Sequence, residues 1–370
     1  MIPVSRPFQF AHTKKYLLDC AKSGWFSSNG PYVARFEKAF STYVGTSYAT
    51  AVPSGTAALH LALAAINLQK GDEVIVPTFT MFSPVAAILY TGATPVFVDS
   101  DPITWTMNPN HVARKITKRT RAVLAVHIYG HPVDVDPLRR LAIQHHLFLI
   151  EDAAEGLGAL YKGRKVGTLG DIACFSFYAN KLVTTGEGGM AVTNDKHLFL
   201  RIKTLADMAH HPKKRFLHTE LGFTYRMTNM QAAVGLAYLE QIEKTIAKKK
   251  WEASLYNKLL SGLPYVSFQS AQPWADPVWW MYGVVINAQS PVSRAHLRQT
   301  LLTSGIDTRE FFVPSHRQPA LKKLGILSTG RFPVAEHLAK RGLYLPSGPN
   351  ISERDIRSVV DHIKHIYEHV

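Results

Sequence analysis

The chain of 370 residues contains only two cysteines, Cys20 and Cys174. Two thiols are too few for a disulfide framework or for a structural zinc site made of cysteines. No apolar run approaches the roughly 20 residues that a helix needs to span a membrane. The start of the sequence, MIPVSRPFQF, also lacks the basic and apolar regions of a signal peptide. These absences predict a soluble, cytoplasmic protein with no membrane partner.

Acidic residues are also scarce, with 27 Asp and Glu against 42 Lys and Arg, which leaves a net charge of +15. A positive field of this kind attracts nucleic acids and phosphorylated metabolites alike. The densest basic run, Lys248–Lys250, follows a helical pattern, so a solvated helix face accounts for it. No nucleic-acid-binding motif accompanies the charge. We therefore expect no nucleic-acid partner, and a phosphorylated small molecule remains the alternative.

What the sequence does contain is an alternation of β-rich runs and helical patterns from about residue 50 to residue 195. With 46% hydrophobic residues and this length, the chain can bury more than one core. The predicted strands are Glu73–Val76, Pro95–Val98, Ala122–Val126, Leu147–Ile150, Ile172–Phe177 and Met190–Val192. The predicted helices between them are Thr56–Leu68, Phe82–Tyr90 and Asp136–His146. This order is typical of an α/β domain with a largely parallel sheet, whose ligands gather at the carboxyl ends of the strands.

The character of the chain changes after about residue 245. Proline-containing segments follow, and a last helix is predicted over Glu353–Glu368, with Ser352 as its N-cap and Asp355 in its first turn. We predict a large α/β domain over residues 1–245 and a smaller α+β domain over residues 246–370.

Three segments at predicted strand or helix ends could carry chemistry. In the first, Gly55 and Thr56 follow Pro53-Ser54 directly before the strongest helical pattern. A turn of small residues that leads into a helix offers backbone N–H groups and a favourable dipole to a phosphate. An ordinary helix start capped by Ser54 is the simpler alternative for this segment alone.

The second segment ends a hydrophobic strand with the carboxylate pair Glu151-Asp152. Such a pair can hold a ligand cation, bind a metal or begin a loop, and no His or Cys lies beside it at ligand spacing. We therefore predict no metal site. The third segment ends a strand near Ser176 and continues through Asn180 to Lys181, followed by a glycine-rich turn. A lysine among apolar groups can act as a nucleophile or base, although most lysines are exposed and do neither.

Together the three segments match the needs of pyridoxal phosphate (PLP). The helix start holds the phosphate, and Lys181 bonds to the aldehyde as a Schiff base. Asp152 keeps the pyridine nitrogen protonated, so that the ring can accept electrons from a substrate carbanion.

At these residues the sequence also resembles the PLP-dependent sugar-nucleotide aminotransferases of fold type I, the DegT family. The resemblance runs over nearly the whole chain, and its most diagnostic stretch is Glu151–Met190. Further matching segments are Gly71–Pro77, Gly92–Pro95, Tyr129–Pro132 and Tyr225–Asn229. The resemblance implies a large domain with a mostly parallel, mixed sheet flanked by helices, a smaller C-terminal α+β domain, and a homodimer with shared active sites.

The family's roles carry over to matching positions. The resemblance makes Lys181 and Asp152 the catalytic pair and Glu155 the partner of the ring hydroxyl, where many relatives have Gln. The remaining cofactor contacts that it implies are Gly55, Thr56, Met81, Ser176, Thr224 and Asn229. The contacts that it implies for a sugar nucleotide are Ser27, Ser28, Gly30 and His316.

Two positions depart from the family pattern. Relatives often stack an aromatic ring on the cofactor where this chain has Met81, although a thioether can also pack against a ring. Relatives commonly have Asn at the position of Thr224, where it reaches the phosphate from the second subunit. Threonine retains one hydroxyl donor but has a shorter reach.

The resemblance implies transfer of an amino group from glutamate, which leaves 2-oxoglutarate, to a nucleotide-linked 4-keto-6-deoxy sugar. GDP-4-keto-6-deoxymannose is the expected acceptor. A UDP- or dTDP-linked ketosugar, or amination at C3, is the alternative within this chemistry. A dehydratase of the same fold has histidine in place of Lys181, so the lysine argues against it. A non-catalytic protein that binds the cofactor or a sugar nucleotide is the alternative from another class.

Overall fold

The computed structural model describes residues 1–6, 8–214, 216–326 and 330–369. Its first nine strands are β1 (Tyr48–Val52), β2 (Glu73–Pro77), β3 (Thr94–Val98), β4 (Thr120–Val126), β5 (Phe148–Asp152), β6 (Leu160–Tyr161), β7 (Arg164–Lys165), β8 (Ile172–Ser176) and β9 (Gly189–Thr193). Seven of these form the main sheet, in the order β1-β9-β8-β5-β4-β2-β3. Neighbours from β3 to β8 in this order run parallel, whereas β9 runs antiparallel to both β8 and β1.

Helices cover both faces of this sheet, which explains why its strands are almost continuously hydrophobic. In β4, for example, Leu124 packs into the hydrophobic cluster on one face and Val123 into the cluster on the other. The helices of this part are α1 (Ala11–Ser23), α2 (Pro31–Val44), α3 (Gly55–Ala65), α4 (Ser83–Tyr90), α5 (Pro109–Ala113), α6 (Val135–Gln144), α7 (Lys196–Ala206), α8 (Asn229–Leu239) and α9 (Ile242–Leu260). Among the described residues, no helix combines the length and hydrophobicity needed to cross a bilayer.

A smaller antiparallel sheet follows α9. Its strands are β10 (Val266–Phe268), β12 (Tyr282–Ile286), β13 (Arg309–Glu310) and β14 (Gly342–Leu345), in the order β10-β12-β14-β13. The remaining strand, β11 (Ala275–Asp276), pairs with β6 and so ties the two parts of the chain together. The helices of this part are α10 (Arg294–Thr303), α11 (Pro319–Lys323), α12 (Pro333–Arg341) and α13 (Glu353–Glu368).

The fold class is confirmed: an α/β sheet, mostly parallel, precedes a smaller α+β part. The structure also confirms the final helix, which begins with a capping box in which the side chains of Ser352 and Asp355 each bond the other's backbone N–H. The strand β1 escaped prediction because its sequence, Tyr-Ala-Thr-Ala-Val, is short and rich in alanine. Its place in the sheet comes from antiparallel pairing with β9, which is distant in sequence.

The predicted division into residues 1–245 and 246–370 falls inside α9. The first residues of the chain lie against the second part, because Ile2 forms a parallel bridge with Ile306 and the N–H of Ser347 donates to the carbonyl of Val4. The exact division therefore stays a prediction.

Candidate active site

Three ionisable side chains with little exposure to solvent lie together beyond the carboxyl ends of β5 and β8. Asp152 is the last residue of β5, Glu155 follows in the next turn, and Lys181 lies in the loop after β8. The Nζ atom of Lys181 is 3.7 Å from Oε1 of Glu155. The side chain of Lys181 is 11% exposed, and Asp152 and Glu155 are also buried. We call these three residues the lysine cluster. The sequence predicted that Asp152 and Lys181 would meet at this rim of the sheet, and the family resemblance implied Glu155 as a further cofactor contact.

Burial lowers the pKa of Lys181, because the ammonium loses its hydration, while the charges of Glu155 and Asp152 oppose this effect. Burial raises the pKa of Asp152, against a hydrogen bond from the N–H of Ala154 and the charge of Lys181. The lysine cluster therefore combines the amine of Lys181, which loses its proton more readily than an exposed lysine, with the carboxyl group of Asp152, whose ionised form a nearby cation would stabilise.

The pKa of Glu155 lies close to neutral pH. Burial raises its pKa to about 7, and the charge of Lys181 and the hydrogen bond from the backbone N–H of Tyr129, at 2.7 Å, only partly offset this effect. Asp152 adds a second negative charge that acts in the same direction as burial. Small changes in the charges and hydrogen bonds around Glu155 therefore decide whether its carboxyl group is protonated, and can donate a hydrogen bond, or is ionised.

The segments predicted to hold a phosphate also meet at this rim. Gly55 begins α3 and lies against Ser176, the last residue of β8. A side-chain carbon built on Gly55 would stand 2.8 Å from the β-carbon of Ser176, so only glycine leaves the gap open. The hydroxyl of Thr56 donates to Ser83 at the start of α4, 3.0 Å away. Ser54 does cap α3, accepting from the N–H of Ala57, so the capping role and an open helix start coexist.

A second buried carboxylate supports the strand that ends in Asp152. Oε1 of Glu151 accepts from the N–H groups of Leu169 and Gly170, and Oε2 accepts from Gly167 and lies 3.1 Å from Nε2 of His127. Burial acts to raise the pKa of Glu151, but the hydrogen bond of His127 and the N–H groups of Gly167 and Gly170 outweigh it, so the pKa is lowered. The two neighbouring carboxylates therefore have different roles. Glu151 holds the loop that contains Gly167–Gly170, and Asp152 is part of the lysine cluster.

His127 was missed by sequence reasoning. Its Nδ1 accepts from the N–H of Val133, so the proton of the neutral ring belongs on Nε2, facing Glu151. Trp280, from the second part of the chain, was also missed, and its indole ring covers the Nζ of Lys181. The available signals were a histidine three residues before the Gly-His-Pro turn and a Trp-Trp pair just before a hydrophobic strand.

Met81 lies four residues after the end of β2 and is 52% exposed. Its position leaves the thioether free to face a ligand.

His316 lies near the same strand end, but both of its ring nitrogens are already engaged: Nδ1 lies 2.7 Å from Oγ1 of Thr78 and Nε2 lies 3.1 Å from Glu336. The structure therefore gives His316 the role of joining β2 to α12, and it offers a substrate no free ring nitrogen.

The N-terminal loop, residues 25–30, is held by Asn229 at the start of α8. The side-chain amide of Asn229 donates to the carbonyl of Trp25, and its oxygen accepts from the N–H of Tyr32. The amide also donates to the sulfur of Cys20, and the backbone N–H of Asn229 donates to Ser27. Both amide hydrogens are thus used within the chain, where Asn229 anchors this loop. The predicted contact of Asn229 with the cofactor stays a prediction.

Ser28 and Gly30 line an open groove of about 460 Å³ that also includes Lys203, Tyr225 and Arg226. The lining residues of this groove do not include the lysine cluster. Within one chain, therefore, Ser28 and Gly30 line a groove whose walls do not include Lys181. Thr224 follows the same pattern: it is exposed, and its hydroxyl donates to the sulfur of Met208 rather than to the phosphate segment.

The residues present fit PLP. Asp152 is buried, and Ala154 provides a hydrogen bond to only one of its oxygens, Oδ1, so a protonated ring nitrogen has an acceptor. Gly55 and Ser176 frame a gap that a side chain would fill, at a helix start suited to an anion.

Residues 9–364 match the DegT/DnrJ/EryC1/StrS aminotransferase family. GDP-perosamine synthase of Escherichia coli O157:H7 is 42% identical over 99% of this chain and 98% of its own length. The dTDP-3-amino-3,4,6-trideoxy-alpha-D-glucose transaminase of Streptomyces venezuelae is 38% identical over 92% of this chain and 88% of its own. The PLP form of a Streptococcus pneumoniae protein described as a sugar aminotransferase superposes with a TM-score of 0.93 at 25% identity, over 100% and 99% of the two chains. The chain therefore belongs to the DegT/DnrJ/EryC1/StrS aminotransferase family, and its cofactor is pyridoxal phosphate.

Proposed function

We propose that the enzyme transfers the amino group of glutamate to GDP-4-keto-6-deoxymannose and so forms GDP-perosamine. The observation that carries the aminotransferase activity is the lysine cluster, in which Lys181 lies beside two buried carboxylates. The sugar is supported by the 42% identity to GDP-perosamine synthase over nearly the full length of both chains.

When bound, PLP supplies an electron sink that stabilises negative charge on the reacting carbon. Lys181 would hold the cofactor covalently, Asp152 would hold its ring nitrogen, and Gly55, Thr56 and Ser176 would hold its phosphate. With the cofactor bound, the Nζ atom of Lys181 would accept a proton from the carbon that carries the donor's amino group and would donate a proton again within the same site. A lysine with a lowered pKa suits this task, because it can be a base in one step and an acid in the next.

We further propose a homodimer in which each subunit completes the other's active site. Support comes from the groove beside the N-terminal loop, which carries Ser28 and Gly30 but is not lined by the lysine cluster of its own chain. Large apolar side chains in the two segments near the groove are exposed to 50% for Trp25, 49% for Phe26 and 92% for Leu221. Exposed apolar groups of this kind mark an interface. The lysines and arginines near the groove then suit the diphosphate of a sugar nucleotide.

A dTDP-linked ketosugar aminated at C3 is the second candidate, because the transaminase from Streptomyces venezuelae is 38% identical to this chain. The two candidates differ in the nucleotide and in the carbon that receives nitrogen. They share the cofactor chemistry, so residues of the lysine cluster cannot separate them.

The test is an absorbance titration of the PLP-loaded enzyme. Addition of glutamate should abolish the absorbance band of the enzyme-bound PLP, and addition of GDP-4-keto-6-deoxymannose should restore that band. Mass spectrometry should identify the 4-amino sugar as the product. The UDP- and dTDP-linked ketosugars are offered in parallel, and recovery with one of these instead would overturn the sugar assignment. An absorbance band that does not change on addition of glutamate would favour the alternative that the protein binds the cofactor without catalysing aminotransfer.

Lys181→Ala should bind PLP without covalent attachment and lose turnover. The matched control is Lys162→Ala, which removes an exposed lysine paired with Asp136 on the surface and should leave turnover unchanged. Normal activity of Lys181→Ala would refute the assignment of the cofactor lysine. Sedimentation of the wild-type enzyme should give a dimer, and a fully active monomer would contradict shared sites.

A further inference from the structure

Lys181 touches an aromatic face that comes from the other part of the chain. Its Nζ atom lies 3.5 Å from the centre of the Trp280 ring. Trp280 is only 7% exposed, and the side chain of Lys181 is 11% exposed, so water has little access to this contact. A cation above the face of an indole is attracted to it, most strongly when both groups are shielded from water.

The indole is fixed at this place by backbone contacts on two sides. Its Nε1–H donates to the carbonyl of Asn180, the residue before the lysine, over 2.9 Å. The segment before Trp280 docks on Gly130, whose carbonyl accepts from the N–H of Val278 over 3.1 Å. A side-chain carbon on Gly130 would stand 2.9 Å from the backbone nitrogen of Trp280, so this close approach requires glycine.

The conformation of the segment contributes as well. Trp279 has a φ of 54°, in the left-handed region that non-glycine residues rarely adopt. This turn sends the two neighbouring tryptophans in different directions: Trp279 packs against the hydrophobic cluster of the smaller sheet, whereas Trp280 belongs to the main cluster. Backbone strain maintained next to a functional lysine is a sign that the position of Trp280 matters.

Three groups therefore favour the protonated form of the amine. Glu155 and Asp152 act by charge from the large domain, and Trp280 acts through its ring face from the small domain. Burial of the amine works against all three. The ring differs from the carboxylates in an important respect, because it is neutral and does not compete for the proton.

We propose that Trp280 is a positioning residue that holds the Nζ of Lys181, in its protonated form, whenever this amine is not bonded to the cofactor. The inference rests on the proposed role of Lys181 as the cofactor lysine. Between its two proton transfers the lysine must stay near the reacting carbons without pairing permanently with a carboxylate. A neutral aromatic face anchored to the backbone of Asn180 provides such a resting place.

The test measures the proton affinity of Lys181 in the full chain freed of cofactor. Trace labelling with acetic anhydride across a pH series, read by mass spectrometry, gives the pH midpoint at which each lysine becomes reactive. Tryptophans are replaced during expression by analogues with one, two and three ring fluorines, which weaken the negative face of the ring with little change in size. The midpoint of Lys181 should fall stepwise, by about half a pH unit or more in total.

Two other lysines serve as internal controls. The Nζ of Lys248 lies 3.7 Å from the ring centre of Trp251 and should respond to fluorination in the same direction. Lys162, near the ring of Tyr161, should not respond. An unchanged midpoint for Lys181 in a folded, fluorinated protein would overturn the proposal.

Substitution gives an independent measurement. Trp280→Leu removes the ring and should lower the midpoint of Lys181 by at least as much as full fluorination, and Trp280→Phe should lie between Leu and wild type. Trp279→Leu is the matched control, because its indole faces the smaller sheet, and it should leave the midpoint unchanged. Equal midpoints for all three variants would refute the role of Trp280.

The labelling needs neither cofactor nor substrate. A wrong sugar assignment would leave its result intact, and a wrong cofactor lysine would be revealed separately by the activity of Lys181→Ala. If the Leu variant does not fold, the fluorinated proteins decide the question.

Discussion

Replacing Glu155 by glutamine should stabilise the cofactor-free protein, and the gain should depend strongly on pH. Glutamine keeps the shape of the side chain and can still accept the hydrogen bond from the N–H of Tyr129, which spans 2.7 Å. What it removes is the negative charge of a group that burial places in a poor environment for charge. The substitution therefore isolates the cost of ionising one buried carboxyl group.

The sign and size of the effect follow from the pKa of Glu155, which rises from an ordinary 4.5 to about 7. The folded protein thus binds this proton more tightly than the unfolded chain does. The stability contributed by the proton is present at low pH, declines as the pH rises from 4.5 to 7, and is absent above 7. At about 1.4 kcal/mol for each tenfold change in proton affinity, ionised Glu155 costs the fold about 3 kcal/mol.

Urea denaturation of the wild-type and Glu155→Gln proteins at pH 5 and pH 8 measures this cost. The variant should be more stable by about 3 kcal/mol at pH 8 and by less than about 1 kcal/mol at pH 5. Glu353→Gln is the control, because Glu353 is 52% exposed in a surface pair with Arg357, and it should change little at either pH. A stability difference for Glu155→Gln that is the same at both pH values would refute the reasoning.

Asp152→Asn should lower kcat/KM by about 10- to 100-fold, because the charge-assisted bond to the ring nitrogen is worth about 1.5–3 kcal/mol, while far-UV circular dichroism stays unchanged; an unaltered rate would leave Asp152 a structural residue. Gly55→Ala should weaken PLP binding in equilibrium dialysis, because its β-carbon would stand 2.8 Å from that of Ser176. Lys249→Met should destabilise the fold by about 3–5 kcal/mol in urea, because it strands the fully buried Glu252, 2.9 Å away. The double variant with Glu252→Leu should recover most of this loss.

The parts of the fold and site that could be predicted are those that depend on short stretches of sequence. The strands ending at Asp152 and Ser176 are hydrophobic on both faces, and a parallel sheet places their carboxyl ends on one rim. Gly55 marked the phosphate segment because a glycine at a helix start allows close approach of the backbone. These residues do meet at one rim in the structure.

What could not be predicted depends on contacts between distant segments. Trp280 bonds to Asn180 across 100 positions of sequence, and only the docking of its segment on Gly130 brings it there. The contacts of Asn229 within the chain could not be predicted either. Asn229 lies in a segment typical of the family, yet its amide is used up by the N-terminal loop, 204 positions away at Trp25. Proximity in a motif does not reveal the partners that a side chain finds after folding.

The lysine cluster is best understood as a balance of opposing effects on one amine. Burial favours the neutral, nucleophilic form of Lys181, and the two carboxylates favour its charged form. An enzyme that moves a proton from one carbon to the next needs the amine in both forms. Trp280 adds a weaker attraction through a neutral ring, which the carbonyls of Asn180 and Gly130 help to hold in place. The docking of the Trp280 segment on Gly130 and the proton affinity of Lys181 are therefore linked through this ring face.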